Sequence, residues 1–363
     1  MENVLNLHTL IDRHAIETAL ANHSRGLDRA DENLLGSAYH PAGHVDYGAF
    51  IGSSEDFTAA LAAGQKSGGP TQHRTSNISI RIKGDKAVSE SYVIAYVEDA
   101  ETQHVVFGRY LDSHEKHNGE WRLVQRIYSL EGNTNKPNNA GRADPDTSHE
   151  TFLAYGGHGA ADAGRVLLAA AQARHKSTPL TKETQAMGTQ SANQEQNAQA
   201  LDRALSKVAI HELCMSYCRA VDRGDKELMA SLFAEGATVM AGVFNGDAAE
   251  FSNFICDFVQ ENSSYVFHSV ANEWVEINGD EAVGEHYVIA MMCSDGNDIM
   301  TGGRYIDRYV RRDGIWKIME RTFVMDWNRT DPTTMQLDGM YEGLEQRGRW
   351  GKDDPVYALW SSI

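Results

Sequence analysis

Ile82–Val97 reads IKGDKAVSESYVIAYV, and Ile277–Met292 reads INGDEAVGEHYVIAMM. The two stretches lie 195 positions apart, and the match continues outward from them. GRYLD (Gly108 to Asp112) matches GRYID (Gly303 to Asp307), and GEWRLVQR, ending at Arg126, matches GIWKIMER, ending at Arg321. Upstream the offset falls to 194. GLDRAD around Asp28 pairs with AVDRGD around Asp222, and Gly52 pairs with Gly246. The order is the same in both halves, so the chain carries a duplicated domain and not a short-period solenoid. The reading is copy one at 1–132, a linker with a possible helix at 133–200, copy two at 201–330, and a tail at 331–363. The Ala-rich 159–175 is the candidate helix of the linker, and 176–200 is Ser/Thr/Gln/Asn-rich. The tail ends in DDPVYALW, whose aromatics predict docking on the body.

Composition agrees with two ordinary cores. The chain has 363 residues, with 41% hydrophobic and 23% charged, more than one domain usually holds. Its 33 basic and 51 acidic residues leave a formal charge of −18, which repels phosphate backbones and anionic lipid and argues against nucleic-acid or membrane partners. The four cysteines all lie in the second half without disulfide-framework spacing. The opening MENVLNLHTLIDRHAIE has no basic start followed by an apolar run, and no stretch approaches ~18 apolar residues, so a cytoplasmic protein is expected.

Each copy opens on an amphipathic helix, with Leu213, Tyr217 and Val221 on one face in copy two. Short helical pieces, a hairpin at 45–50 or 239–244 and another helix follow. Long strands then complete the copy, with turns at Lys83-Gly84-Asp85 and Asn118-Gly119. Helices first and antiparallel strands afterwards predict an α+β fold.

Two polar residues recur. An aspartate closes the first helix (Asp28, Asp222), and a histidine precedes the long strands (His73, His268), followed at i+4 by Asn77 or Asn272. A carboxylate that keeps one imidazole nitrogen protonated frees the other to move a proton. The same pair could instead tie the helix to the sheet. Arg126 with Asp112 or Glu90, and Arg321 with Asp307 or Glu285, read as cross-strand ion pairs. Tyr110 and Tyr305 alternate to the face opposite Arg109 and Arg304 and are candidates for binding a substrate. His23, His44 and Tyr47 make copy one the more polar pocket and favour it slightly as the working site. Copy two has Tyr217 where copy one has His23. A metal reading of His23/His40/His44 lacks tight spacing, and one of His211/Cys214/Cys218, on one helical face at i, i+3, i+7, lacks a second ligand pair, so neither a metal nor an organic cofactor is expected. The glycine-rich Gly156 to Gly164 lacks the spacing of a dinucleotide loop.

These motifs resemble the SnoaL-like branch of the NTF2-like superfamily. They are D-R-x-D (Asp28 to Asp31, Asp222 to Asp225), H-x-x-x-N, G-D-x-A (Gly84 to Ala87, Gly279 to Ala282), G-R-Y-x-D, and G-x-W running to arginine. The resemblance covers nearly all of both copies. It implies two cone-shaped α+β barrels, each a curved antiparallel sheet wrapped on helices around a deep pocket. It also implies an Asp–His acid/base dyad, as in scytalone dehydratase-like and dehydrochlorinase-like lyases. Asp28/His73 and Asp222/His268 stand at the matching positions. The substrate expected is an apolar aromatic small molecule, with Asn77, Asn272, Tyr110, Tyr305, Tyr217, His23, His44 and Tyr47 positioning it. The reaction expected is dehydration, or carbon–carbon cleavage with formaldehyde loss from a lignin-derived diaryl compound. The alternatives are a non-catalytic ligand-binding or assembly module, and an isomerase or polyketide cyclase. Relatives assemble as dimers or trimers. The tandem implies either a homo-oligomer or an intrachain pseudo-dimer.

Overall fold

In the computed structural model, residues 6–67, 71–137 and 190–363 are described. Copy one runs α1 (Leu7–Asp28), α2 (Glu32–Ser37), β1 (Tyr39–Asp46), β2 (Ile51–Ser53), α3 (Ser54–Ser67), β3 (Thr71–Lys83), β4 (Lys86–Glu98), β5 (Thr102–His117) and β6 (Glu120–Pro137). Copy two repeats this order as α4 (Gln190–Arg223), α5 (Lys226–Leu232), β7 (Phe233–Met240), β8 (Asn245–Asp247), α6 (Ala248–Asn262), β9 (Tyr265–Asn278), β10 (Glu281–Ser294), β11 (Asn297–Arg312) and β12 (Ile315–Pro332). The tail adds α7 (Pro355–Ser361). The Ala-rich 159–175 lies outside the described residues. The expected linker is shorter at both described ends, because 133–137 finish β6 and 190–200 begin α4. No helix among the described residues is long and apolar enough to cross a membrane.

The sheets run β2-β1-β6-β5-β4-β3 and β8-β7-β12-β11-β10-β9. Two details differ from the expected barrel. Each sheet is mixed, because β1 pairs parallel to β6 and β7 parallel to β12. Neither sheet closes, so β3 and β9 remain edge strands. The parallel pair is possible because β1 and β6 are joined through the rest of the domain and not by a hairpin.

Local chemistry explains the repeated motifs. In D-R-x-D the third residue takes a left-handed turn (Ala30 φ 49°, Gly224 φ 60°). The second aspartate then caps the next helix. Asp31 accepts from Leu34 N at 3.1 Å, and Asp225 from Leu228 N at 3.0 Å. The Asn118-Gly119 turn has both φ angles positive, as a two-residue hairpin requires. The glycine of G-R-Y-x-D sits at a bulge between β5 and β6, where a Cβ on Gly108 would lie 2.4 Å from Ser129 O.

The copies pack on each other. Tyr92 and Phe107 of copy one meet Phe267 and Tyr265 of copy two, with the Tyr92 and Phe267 rings 4.9 Å apart. Beside them lies a buried ion cluster. Arg109 bonds Glu90, Glu131 and Asp354, while Arg219 bonds Glu90 and Arg223 bonds Glu131. Asp354 belongs to the tail, which also sets Val356 and Trp360 against Val88 and Leu111. Further back, Tyr341 packs with Tyr110 and Tyr128.

Candidate active site

Asp28 is the last residue of α1, and His73 lies near the start of β3. His73 Nδ1 donates to Asp28 Oδ1 at 2.7 Å, and its backbone N–H donates to Oδ2 at 2.9 Å. Thr71 adds a bond to Oδ1 at 2.9 Å. Burial would raise the Asp28 carboxyl, but the bonds and charge of His73 outweigh it and hold the group below its ordinary value. Copy two repeats the arrangement. His268 Nδ1 donates to Asp222 Oδ1 at 2.6 Å, and its N–H donates to Oδ2 at 3.0 Å. An ionised carboxylate only accepts, so it fixes the proton on Nδ1 and leaves Nε2 as the basic nitrogen.

The surroundings of the two pairs differ. His268 opens on a cavity of about 200 Å³ lined by Tyr217, Tyr305, Arg321 and apolar side chains, among them Phe251, Val259, Ile299 and Phe323. In copy one the corresponding interior is packed with rings. His23 stands edge-on to Tyr39 and Tyr110 at 5.8 and 5.5 Å, and Tyr47 stacks on Tyr128 at 5.2 Å. Burial, then the charges of Arg126 and His73, keep His23 well below its usual pKa, so this imidazole is neutral. Tyr217 takes the place of His23 and meets Tyr305 edge-on at 5.5 Å.

The arginines at the ends of G-x-W…R matter more to the interior than their sequence reading as ion pairs suggests. Both ion pairs form. Arg126 grips Asp112 at 2.7 Å through two nitrogens, and Arg321 grips Asp307 at 2.8 and 2.6 Å. The guanidinium of Arg321 also lies over the rings of Tyr217 and Tyr305, at 4.0 and 4.3 Å. Its Nη1 is buried without a hydrogen-bond partner among the described residues. Burial pushes the Tyr217 hydroxyl up to about 12, with the nearby Arg321 charge opposing, although that contact lacks hydrogen-bond geometry. The sequence signal for Arg321 was the ion pair itself: a carboxylate that anchors one edge of a guanidinium leaves the other edge free.

Three of the expected positioning residues lie elsewhere. His44 is exposed on β1, where alternation turns Val45 inward. Asn272 is exposed at φ 50°. Asn77, at φ 47°, is buried between the copies, where it bonds the backbone of β9. The repeated asparagine therefore marks a left-handed position near a strand irregularity, a conformation Asn tolerates better than most residues.

The two metal triads weighed from the sequence do not assemble. The His40 and His117 rings lie tilted to each other 4.5 Å apart, while His23 is buried. His211 bonds Glu273 and the carbonyl of Ile78. Cys214 instead joins His286 and Asp307 in a buried group with metal-ligand spacing. Tyr309 is the hub of that group. Its hydroxyl lies 2.8 Å from His286 Nε2 and 3.3 Å from Cys214 Sγ, and donates to Asp307 at 2.6 Å. The carboxylate is further held by Arg321, so its oxygens are already engaged.

A tandem of open α+β sheets, each with an Asp–His pair inside, defines the class. The family model of the SnoaL-like domain matches residues 8–127 and 202–322, and the chain belongs to that family. A gamma-hexachlorocyclohexane dehydrochlorinase of Sphingobium indicum is 25% identical over 126 residues, covering 33% of this chain and 81% of the relative. Among solved structures, a type 2 hexachlorocyclohexane dehydrochlorinase is 22% identical with a TM-score of 0.35, covering 36% of this chain and 93% of its own. A scytalone dehydratase-like protein of Novosphingobium aromaticivorans is 20% identical with a TM-score of 0.33, covering 37% of this chain and 94% of its own.

Proposed function

We propose that the chain is a cofactor-independent lyase whose working site is in copy two. The observation that carries this reading is His268, paired to Asp222, on the wall of an apolar cavity of about 200 Å³. In the reaction, Nε2 of His268 takes a proton from a substrate carbon or hydroxyl, and Asp222 stabilises the imidazolium. The electrons of the broken bond form the new double bond as the leaving group departs with its own electron pair. The Arg321 guanidinium, which lines the cavity over the Tyr217 and Tyr305 rings, sets a positive charge near the departing anion. Tyr217 and Tyr305 orient an apolar aromatic substrate against the remaining wall. Halide fits as it stands, and hydroxide fits when the His268 imidazolium returns its proton to release water; in formaldehyde loss the O–H electrons would form the aldehyde C=O and the C–C pair would stay on the remaining carbon. The names of the dehydrochlorinase and dehydratase relatives favour the first two. The choice of copy two reverses the slight preference drawn from polarity, because His44 is exposed and the rings of His23 and Tyr47 are packed among tyrosines.

The test is turnover of a panel of chlorinated cycloalkanes, aryl alcohols and diaryl propanoids by His268→Ala and His73→Ala. On a substrate the parent turns over, His268→Ala is expected to lose roughly 10²–10⁴-fold in kcat, and His73→Ala to keep most activity. Equal activity in both variants would refute the dyad. Loss confined to His73→Ala would move the site to copy one. Tight binding without turnover by the parent would favour a ligand-binding module.

A further inference from the structure

His268 is held from the other copy. β9 is an edge strand, so part of its backbone has no neighbouring strand to bond. The side chain of Asn77, from copy one, fills that role. Its Nδ2 donates to His268 O at 2.6 Å, and its Oδ1 accepts from Val270 N at 2.7 Å. Ser76 Oγ meets Ser269 Oγ at 2.9 Å beside it. The His268 N–H goes to Asp222. Both backbone groups of this histidine are thus fixed by side chains, one from each copy.

The arrangement is not mirrored. Asn272, at the matching position of copy two, is exposed. Among the described residues no side chain donates to the carbonyl of His73. The edge of β3 is covered differently, by α4. There, Glu212 accepts from Ser79 Oγ at 2.7 Å and Ile80 N at 3.2 Å, and His211 lies 2.9 Å from the carbonyl of Ile78. The copies therefore dock asymmetrically, and only one histidine gains a clamp.

We propose that Asn77 of copy one is a positioning residue for His268 of copy two, so that the tandem completes one dyad and leaves the other to itself. The catalytic part of this inference rests on the reading of His268 as the base. Asn77 never touches the cavity. It acts by fixing the backbone that aims the imidazole, and a small misplacement of a reacting group costs rate steeply.

The substitution that tests it is Asn77→Gly. Glycine keeps the left-handed φ of 47° without strain and removes both bonds. Ring resonances of the full chain, labelled at histidine, are compared with the parent, and those of His268 are assigned by their loss in His268→Ala. The His268 ring signals are expected to shift and broaden while those of His73 stay in place. In kinetics, kcat is expected to fall about tenfold with KM little changed, the signature of a reacting group mis-aimed in an intact cavity. Asn272→Gly is expected to leave both histidines and kcat unaltered. Unchanged His268 signals in a folded Asn77→Gly protein would overturn the proposal, and so would equal shifts at His73. Should the glycine variant not fold, Asn77→Asp decides the same question. It keeps the acceptor for Val270 and sets a carboxylate oxygen against the His268 carbonyl. The resonances report without turnover. An inactive parent would therefore end the lyase reading while leaving the role of Asn77 decided.

Discussion

Asp354→Asn should strip the molecule of its strongest link between tail and body. Asp354 is 1% exposed, accepts from Arg109 Nη1 and Nη2 at 2.8 and 2.6 Å, and also takes the backbone N–H groups of Arg349 and Val356 at 3.0 Å each. The cluster around it balances: Arg109, Arg219 and Arg223 face Glu90, Glu131 and Asp354. Neutralising one carboxylate leaves an uncompensated buried cation. Breaking a buried pair in this way costs about 3–5 kcal/mol. The carboxyl itself gives an independent measure. Burial would raise its pKa, but the charge and bonds of Arg109, then Arg223, bring it from 3.8 down to about 2. That difference is worth about 2 kcal/mol. Because the folded value is the lower one, this stability is present above about pH 4 and is lost as pH falls toward 2. Asparagine keeps the shape and some of the bonds, so about 3 kcal/mol is the expected loss, or a drop of roughly 4 °C in Tm for a chain of this length. The assay is thermal unfolding at pH 7 and at pH 3, with neighbouring exposed Asp353→Asn as control. A change of less than about 2 °C at pH 7 would show that the cluster does not need its third carboxylate, and the ionic account of tail docking would be wrong.

Three further predictions use other parts of the molecule. Gly48→Ala should destabilise by roughly 1–3 kcal/mol in urea titration, because Gly48 sits at φ 72° and a Cβ there would meet the Gly343 carbonyl of the tail. Ala241→Trp should fill the copy-two cavity and abolish turnover with little change in Tm, whereas retained turnover would place the chemistry elsewhere. His286 predicts an alkaline limit. Burial lowers its pKa, but Cys214, Glu273 and Asp307 outweigh burial and raise it from 6.5 to about 10, so its contribution is whole below pH 6.5 and lost as pH rises through 10. Urea midpoints of His286→Gln should accordingly fall less than those of the parent between pH 7 and 10.

What the sequence could show was set by period and by local chemistry. The 194/195 offset located the duplication because every matched motif does a local job. Asp31 and Asp225 cap helices, and Asn118-Gly119 turns a hairpin. The Asp–His spacing was visible because a helix end and a strand start must meet in any copy of the fold. The parallel pairing of β1 with β6 was not visible, since no short connection encodes it. Nor was the fate of Asn77. Its repeat at Asn272 suggested a shared role, whereas the shared property is a left-handed backbone, and only docking decides what each side chain meets.

Duplication began with two equal interiors, and the inequality now present follows from how one chain must pack. Two identical chains can meet across a two-fold axis, where each residue contacts its own counterpart's partner. Here α4 of copy two covers the β3 edge, Asn77 of copy one covers the β9 edge, and the single tail lies across both copies, bonding Arg109 of copy one and Arg223 and Asp225 of copy two. The interior of copy one gains ring packing where Tyr341 joins Tyr110 and Tyr128. Copy two has an apolar cavity beside a histidine held at both backbone groups, whereas an unpartnered guanidinium Nη1 is common to both copies, on Arg126 and on Arg321. A substitution that opens copy one, such as Tyr47→Ala, should therefore create space there without creating a second working site. His73 would gain room but still lack the clamp that Asn77 gives His268. Turnover of His268→Ala carrying Tyr47→Ala is the measurement. Activity restored to the parent level would show that volume alone, and not the asymmetric docking of the copies, separates the two interiors.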